Sequence, residues 1–276
     1  MLRLNVIGAG KVGRVFARLW SAQGVLQVQN ILNRHAASAQ AAIDMIGAGK
    51  VVDTLDAMSV ADLWMLSASD DALAGICQDL LAAGVLRPGN IVFHCSGAKS
   101  SALLQSLATQ GVYLASVHPV RSFAVPAEVA ANFSGTICSV EGDAQALQLL
   151  TPLLQQLGAT VVPIEGAQKL LYHAGSVFAS NYLVTLMELA LRAYQAAGIP
   201  LPIAQAMAEP LARQTLDNVW KLGAAQALTG PLARGDLDTV HQQSQAVQQW
   251  DSQAGQLYDS FIVATQQMIE RNKKQD

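Results

Sequence analysis

Three glycines near the start of the chain have the spacing of a phosphate-binding turn. Gly8, Gly10 and Gly13 lie between an apolar run, residues 2–7, and a segment with apolar residues at helical spacing. In such a strand–turn–helix the first glycine permits the tight turn, the second lets a pyrophosphate approach, and the third lets the helix pack closely. The free N–H groups of the helix start then face the phosphates. The pattern predicts a dinucleotide site, with a purely structural turn as the alternative.

The end of the second predicted strand indicates which dinucleotide binds. This strand covers residues 26–32 and is followed by Asn33 and Arg34. NAD sites usually carry an Asp or Glu near this position, which accepts a hydrogen bond from the ribose 2′-hydroxyl. An arginine instead matches a 2′-phosphate in charge and in fork geometry. The sequence therefore predicts NADP(H) over NAD(H), with a solvated Arg34 that binds nothing as the alternative.

Candidate acid–base residues occur at two places. Ser96 follows the fifth predicted strand and His118 ends the sixth, and ligands bind outside the carboxyl ends of parallel strands. Lys169 and His173 lie four residues apart, about 40° around a helix, so they share a face. A histidine titrates near neutrality and suits a general acid. The alternative for each residue is structural, namely a turn at Ser96, a packed imidazole or a solvated lysine.

The elements that must position these residues change in type along the chain. Up to residue 166, eight short apolar runs alternate with helical segments, which predicts an α/β fold with a doubly wound, mostly parallel sheet. Beyond that point only helical patterns occur. We therefore predict an NADP-binding Rossmann domain at residues 1–166 and an all-helical domain for substrate binding and dimerisation at residues 167–276.

Three long helices are predicted in the second part, over residues 169–197, 203–222 and 239–271. The most apolar stretch, residues 170–191, contains His173, Asn181 and Glu188. Polar residues at these positions favour a buried helix over a membrane span.

The composition excludes several classes of protein. The 276 residues are 51% hydrophobic and 13% charged, with a formal net charge of −3 and a pI near 5.9. This charge gives no basic footprint for nucleic acid. We expect no signal peptide, because the first strand leads directly into the glycine turn. The three cysteines form no CxxC pair, which favours reduced thiols in the cytoplasm.

Seven stretches resemble one bacterial family of Rossmann-like oxidoreductases of unknown substrate, often labelled as NADP oxidoreductases, coenzyme F420-dependent. The family is related to the β-hydroxyacid dehydrogenases, ketopantoate reductase and pyrroline-5-carboxylate reductase. The resemblance implies a Rossmann domain followed by a helical domain like the C-terminal domain of 6-phosphogluconate dehydrogenase. The matching stretches are residues 8–13, 33–34, 61–71, 94–98, 118–123, 172–173 with Asn181, and 228–236.

The resemblance also bears on the acid–base residues. In the hydroxyacid dehydrogenases a lysine donates the proton, and an asparagine four positions later orients the substrate. Here the fourth position after Lys169 holds His173, and Asn181 lies twelve residues after the lysine. This departure leaves Lys169 and His173 as alternative proton donors. The Gly230–Pro231 turn, with Arg234 and Asp236, is expected to be structural, with a place at the active site of this or a neighbouring subunit as the alternative.

The sequence thus predicts a cytoplasmic NADP(H)-dependent reductase or dehydrogenase that acts on a small carbonyl, imine or hydroxy acid and forms a homodimer through its helical domain. No metal is expected, since the histidines form no HxxxH or HExxH pair. The alternatives are a non-catalytic dinucleotide-binding or sensing protein, a methyltransferase that uses S-adenosylmethionine, and a deazaflavin reductase. The predicted catalytic residues are Lys169, His173, Ser96, His118 and Asn181, and the predicted cofactor contacts are Gly8, Ala9, Gly10, Lys11, Val12, Gly13, Asn33, Arg34, Ser67, Ala68 and Ser69.

Overall fold

The computed structural model describes residues 1–274 and divides the chain into two compact units, residues 1–180 and the residues from Asn181 onward. The first unit is built on one eight-stranded sheet. In chain order the strands are β1 (Leu2–Ile7), β2 (Leu26–Leu32), β3 (Lys50–Val51), β4 (Leu63–Leu66), β5 (Ile91–His94), β6 (Tyr113–Pro119), β7 (Ile137–Gly142) and β8 (Thr160–Pro163).

The sheet has the spatial order β3-β2-β1-β4-β5-β6-β7-β8. Strands β1 to β6 are parallel, β7 is antiparallel to β6, and β8 is parallel to β7. The mostly parallel sheet confirms the predicted fold class. It also brings the carboxyl ends of β1, β2, β4, β5 and β6 to one edge, where the glycine turn, Ser96 and His118 lie.

Helices cover both faces of this sheet. One face packs a core that includes Phe16 and Trp20, and the other packs a core that includes Leu73 and Leu104. The helices of the first unit are α1 (Lys11–Ala22), α2 (Ala36–Ile46), α3 (Asp70–Ala83), α4 (Pro126–Ala131), α5 (Ala144–Gln156) and α6 (Lys169–Ala179), with 3₁₀ segments at Ser101–Gln110 and Gly166–Gln168.

Within residues 181–274 the second unit contains helices and no strand, as the sequence predicts. It follows the last strand in the sequence and contains two long helix pairs joined by shorter helices. These are α7 (Asn181–Ala196), α8 (Leu201–Leu222), α9 (Ala224–Ala227), α10 (Pro231–Arg234), α11 (Leu237–Trp250) and α12 (Ser252–Lys273).

Two predicted single helices are each broken in the structure. Ser180 leaves helical geometry, with φ −127° and ψ −69°, and separates α6 from α7. Asp251 is extended and caps α12, because its carboxylate accepts from the N–H groups of Gln253 and Ala254. Serine and aspartate side chains compete for backbone hydrogen bonds and so favour such breaks. Apolar periodicity alone did not reveal them.

The compact units divide after Ser180, whereas the predicted boundary lies after residue 166. Helix α6 therefore groups with the sheet. The side chain of Lys169, its first residue, is buried and hydrogen-bonded to Glu141 on β7.

The prediction of a buried apolar helix at residues 170–191 is wrong for the chain by itself. Leu170, Leu171 and Phe178 are each at least 70% exposed. The helical stretch Gly166–Ala196, with mean hydropathy 1.3, is long and apolar enough to cross a membrane by length and composition alone. Hydropathy measures how strongly a segment avoids water and does not identify what covers it.

Candidate functional site

Each glycine of the turn has a separate structural role. Gly8 has φ +81°, and a Cβ there would lie 2.5 Å from the backbone nitrogen of Ala68. A Cβ at Gly13 would lie 2.9 Å from Ser67 Oγ, so the third glycine permits close packing of α1 on the end of β4. At Gly10 the nearest such atom would be 3.7 Å away. The first and third glycines are therefore required by packing, while the second leaves the backbone open to a ligand.

Helix α1 begins directly after the turn with its N-terminus uncapped. Gly10 is the capping residue and provides no side-chain hydrogen bond to the helix. The orphan N–H groups of such a terminus, together with the helix dipole, form a site for an anion. Asn33 supports this site from β2, because its Oδ1 accepts from the Ala9 N–H at 2.6 Å and its Nδ2 donates to Ser38 Oγ. The Asn33 side chain thus stabilises the glycine turn through these hydrogen bonds.

A cleft of about 690 Å³ extends from the glycine turn along the ends of β2 and β4. Arg34 and His35 are exposed at its border, beside Ser38 of α2. This position follows the second strand, where a dinucleotide places its adenosine ribose. The remaining lining residues are Ile7, Gly8, Gly10, Leu32, Asn33, Asp53, Ser67, Ala68, Ser69, Ala72, Gly75, Ile76 and Asp79.

A smaller cleft of about 270 Å³ shares Ser67, Ala68 and Ser69 with the first. It is also lined by Lys11, Val12, Asp70, Cys95 and Ser96. The two clefts together lead from the end of β2, past the start of α1, to the end of β5. An extended dinucleotide needs such a path between its adenine and nicotinamide ends.

Ser96 forms a turn at the end of β5. Its N–H donates to His94 Nδ1 at 3.2 Å, and its Oγ accepts from the N–H groups of Ala98 and Lys99. The Ser96 hydroxyl therefore stabilises the turn, which is the structural role given above as the alternative to catalysis. Its own proton can still be donated to a ligand. The neighbouring Cys95 is no nucleophile at neutral pH, since burial raises its pKa to about 12.

A compact group of rings lies beside this turn. His118 Nδ1 and the Tyr172 hydroxyl are 2.8 Å apart and hydrogen-bonded, and the rings of His118 and His173 are 5.4 Å apart at 80°. A Cβ at Gly97 would lie 2.4 Å from His173 Nδ1 and 2.7 Å from His118 Nε2. His173 Nδ1 is buried and has no hydrogen-bond partner within the described residues. We call His118, Tyr172 and His173 the ring cluster.

The protonation states of the ring cluster follow from its surroundings. Burial, and then the nearby His173 and Lys169, lower the pKa of His118 to about 4, so this imidazole is neutral at neutral pH. Burial raises the pKa of Tyr172 above its ordinary value. Its phenol therefore keeps its proton. The hydrogen-bonded pair thus consists of two uncharged groups.

Lys169 is buried to 1% exposure and lies in the interior of the first unit. Its ammonium donates to Glu141 Oε1 at 3.2 Å and to Ser116 Oγ. Burial lowers the pKa of Lys169, and Glu141 opposes that shift. Glu141 also accepts from the N–H and hydroxyl of Ser101 at 2.8 and 2.7 Å. The structure therefore places Lys169 in a paired interior network and not on a solvated surface.

The remaining predicted residues are placed as follows. Asn181 is the exposed first residue of α7 and belongs to the second unit. Asp236 caps α11 by accepting from the Thr239 N–H, which is the structural role expected for this turn. Within residues 1–274, no three His, Cys, Asp or Glu side chains are arranged to hold a metal ion.

Two residues of the site were missed by the sequence reasoning. Tyr172 lies three residues after Lys169 and next to His173, so a polar stripe on an apolar helix was the available signal. Glu141 is a charged residue inside an apolar strand, and such a residue requires a buried partner. Neither signal identifies the partner, because His118 and Lys169 approach them only in the folded chain.

Two family models match the chain. Residues 1–119 match a Rossmann-like domain, and residues 136–265 match a domain of unknown function (DUF2520). No curated protein is similar in sequence.

Solved structures share the fold over nearly the whole chain. A Thermotoga maritima protein is 24% identical with a TM-score of 0.73, over 98% of this chain and 99% of the other. A Bacteroides fragilis protein described as an NADP oxidoreductase is 19% identical with a TM-score of 0.80, over 96% and 98%. An imine reductase from Myxococcus stipitatus, solved with NADP+, is 17% identical with a TM-score of 0.62, over 99% and 94%. At these identities the likeness establishes the fold alone.

Proposed function

We propose that the protein is an NADP(H)-dependent oxidoreductase. The observation that carries this proposal is the glycine turn, in which Gly8 and Gly13 are fixed by packing while Gly10 and the uncapped start of α1 remain open. This is the arrangement that binds a pyrophosphate. The two connected clefts support a ligand of dinucleotide length.

Arg34 favours NADP(H) as the dinucleotide. It is exposed at the border of the larger cleft, next to His35 and Ser38. A guanidinium there suits the oxygens of a 2′-phosphate in charge and in geometry. Asn33 uses its side chain to brace the turn, so it does not take the role of the ribose-binding carboxylate of an NAD site.

The ring cluster supplies the acid–base chemistry in this proposal. When bound, NADPH supplies a hydride to a carbonyl or imine carbon. The protein must then deliver one proton to the oxygen or nitrogen that gains the electron pair. The Tyr172 phenol is protonated and hydrogen-bonded to the neutral His118. In the tautomer in which His118 Nδ1–H donates to the Tyr172 oxygen, the phenol transfers its own proton to the substrate, and His173 orients the substrate. In the reverse direction the same pair accepts a proton from a hydroxy compound.

Lys169 and Ser96 support this chemistry from the protein side. The Lys169 ammonium is held by Glu141 and Ser116, and it fixes the start of α6, which carries Tyr172 and His173. Ser96 fixes the loop that contains Gly97, against which both imidazoles pack. We therefore assign Lys169 and Ser96 as positioning residues.

A substrate screen tests catalysis. The purified protein is mixed with NADPH and a panel of small ketones, aldehydes, 2-oxo acids and cyclic imines, and the loss of NADPH absorbance is followed. We expect at least one compound to be reduced. We expect Tyr172→Phe to lower its rate by about 100- to 10,000-fold, because the proton donor is lost. The affinity for NADPH should be unchanged.

Two results would contradict the assignments. Full activity of Tyr172→Phe would exclude the phenol as the proton donor. NADPH binding without reduction of any compound would favour the non-catalytic dinucleotide-binding protein.

The second unit is proposed to form a homodimer in the cytoplasm, with no role in nucleic-acid binding or membrane insertion. Along α8, Ile203, Met207 and Leu211 are all exposed at a spacing of four residues. On α7, the Arg192 guanidinium is paired with Glu188 and Asp251. Such charges are costly in a bilayer and tolerable at a subunit interface. A second copy of the chain is therefore the proposed partner of the apolar helix faces.

A further inference from the structure

One face of α3 borders the larger cleft. Ala72, Gly75, Ile76 and Asp79 all line the cleft. Residues at this spacing lie on one side of a helix. The first three carry no polar side-chain atoms, and Asp79 lies three residues beyond Ile76 toward the C-terminus of α3.

Gly75 has no structural reason to be glycine among the described residues. It lies in the interior of the 14-residue helix α3, where glycine is less favourable than alanine. A Cβ built on Gly75 meets no atom within 4 Å, and its φ is outside the left-handed region. Since Gly75 lines the cleft, the missing side chain leaves space for a ligand to lie against the helix backbone.

The Arg34 guanidinium and the Asp79 carboxylate lie on different elements of the cleft. Arg34 lies where β2 leads into α2, Asp79 lies on α3, and Asp53, after β3, is a second carboxylate of the cleft. A phosphate is attracted to the Arg34 guanidinium and repelled by the Asp79 carboxylate. A ring that carries an amine is favoured next to Asp79, because an ionised carboxylate only accepts hydrogen bonds.

We propose that this face of α3 recognises the base of the dinucleotide and that Asp79 selects adenine. The purine ring lies over Ala72, Gly75 and Ile76, and its exocyclic amine donates to the Asp79 carboxylate. Hypoxanthine carries a carbonyl oxygen in place of the amine, so the hydrogen bond from the amine is lost and the carbonyl oxygen faces the Asp79 carboxylate unfavourably. The inference rests on the proposed NADP(H) function.

The test compares the binding of NADPH with that of its hypoxanthine analogue, by nicotinamide fluorescence, in wild-type protein and Asp79→Asn. We expect the wild type to prefer NADPH by about tenfold or more, as for a hydrogen bond to a charged group. The amide of Asp79→Asn can donate to the hypoxanthine oxygen, so the variant should bind both nucleotides equally. Gln78→Ala, an exposed neighbour that does not line the cleft, is the matched control and should keep the preference.

Asp53 provides the sharpest competing assignment, because it is a second carboxylate in the same cleft. Loss of the preference in Asp53→Asn, with the preference retained in Asp79→Asn, would overturn the role of Asp79. Equal binding of both nucleotides by the wild type would overturn it as well, while leaving the proposed function intact. Failure of the wild type to bind either nucleotide would instead contradict the proposed function itself.

Two substitutions at Gly75 test the placement of the ring independently, one through the melting temperature and the other through the NADPH affinity. Gly75→Ala should raise the melting temperature, because alanine favours the helix. Gly75→Leu should fold and lose about tenfold or more in NADPH affinity, because its side chain fills the ring site. Unchanged NADPH affinity in Gly75→Leu would overturn the placement of the ring.

Discussion

At the scale of residues, the absence of a side chain at Gly97 determines how closely the ring cluster packs. Gly97 lets two imidazoles approach its Cα, and any side chain there would overlap His173 and His118. The resulting burial keeps His118 neutral beside the Tyr172 phenol. The glycines, Ser96 and His118 could be placed at one sheet edge from the sequence, because strand ends are visible in the apolar pattern. The hydrogen bond between His118 and Tyr172 could not be predicted from the sequence, because it joins residues 54 positions apart.

The depressed pKa of His118 predicts how stability depends on pH. The folded-state pKa is about 4 and the ordinary value is 6.5, so between these values the unfolded chain binds the proton first. The contribution of His118 to stability is therefore present above pH 6.5 and is lost as the pH falls toward 4. Urea unfolding of the wild type should show this decline, and His118→Gln should show a smaller one. An identical decline in both proteins would contradict the assigned pKa.

At the scale of elements, α6 is fixed to the sheet by one buried ion pair. Lys169 at its start contacts Glu141 on β7, and Glu141 also holds Ser101 at the start of a 3₁₀ segment. One carboxylate thus holds the start of α6, which carries Tyr172 and His173, and the start of this 3₁₀ segment. The eight strands were all predicted within a few residues, since each is a short apolar run. The helix break at Ser180 was not predicted, because it depends on backbone geometry that apolar periodicity does not encode.

The ion pair predicts a specific order of stabilities. Glu141→Gln leaves the Lys169 ammonium buried without its counter-charge and should lower the free energy of unfolding by about 3–5 kcal/mol. Lys169→Met should lower the free energy of unfolding by less than Glu141→Gln does, because Glu141 keeps both hydrogen bonds from Ser101. The double variant should be more stable than Glu141→Gln alone. Additive losses, measured by denaturant unfolding, would show that the two residues do not stabilise each other.

At the scale of the whole molecule, exposed apolar side chains on the helices are the basis of the proposed homodimer. The hydrophobic composition indicates an extensive core, but the structure leaves many large apolar side chains exposed on α6, α7 and α8. The sequence could not show this, because burial within a chain and burial against a partner require the same residues. Exposed apolar patches of this kind mark interaction surfaces.

The proposed homodimer can be tested by sedimentation. We expect the wild type to sediment as a dimer and Leu211→Glu to shift toward monomer, because the charge would be buried in the interface. Lys50→Glu on the edge strand β3 is the control for a charge change and should remain dimeric. A monomeric wild type that binds lipid vesicles would contradict the proposal and favour a membrane surface.

The central claim is that the glycine turn and Arg34 form an NADP(H) site, and nucleotide titration tests it most directly. Nicotinamide fluorescence is followed while NADPH or NADH is added to the wild type and to Arg34→Ala. We predict that the wild type binds NADPH more tightly than NADH, and that Arg34→Ala loses about tenfold or more in NADPH affinity with little change for NADH. Absence of binding by either nucleotide would contradict the account, and equal NADPH affinity in Arg34→Ala would remove Arg34 from the site.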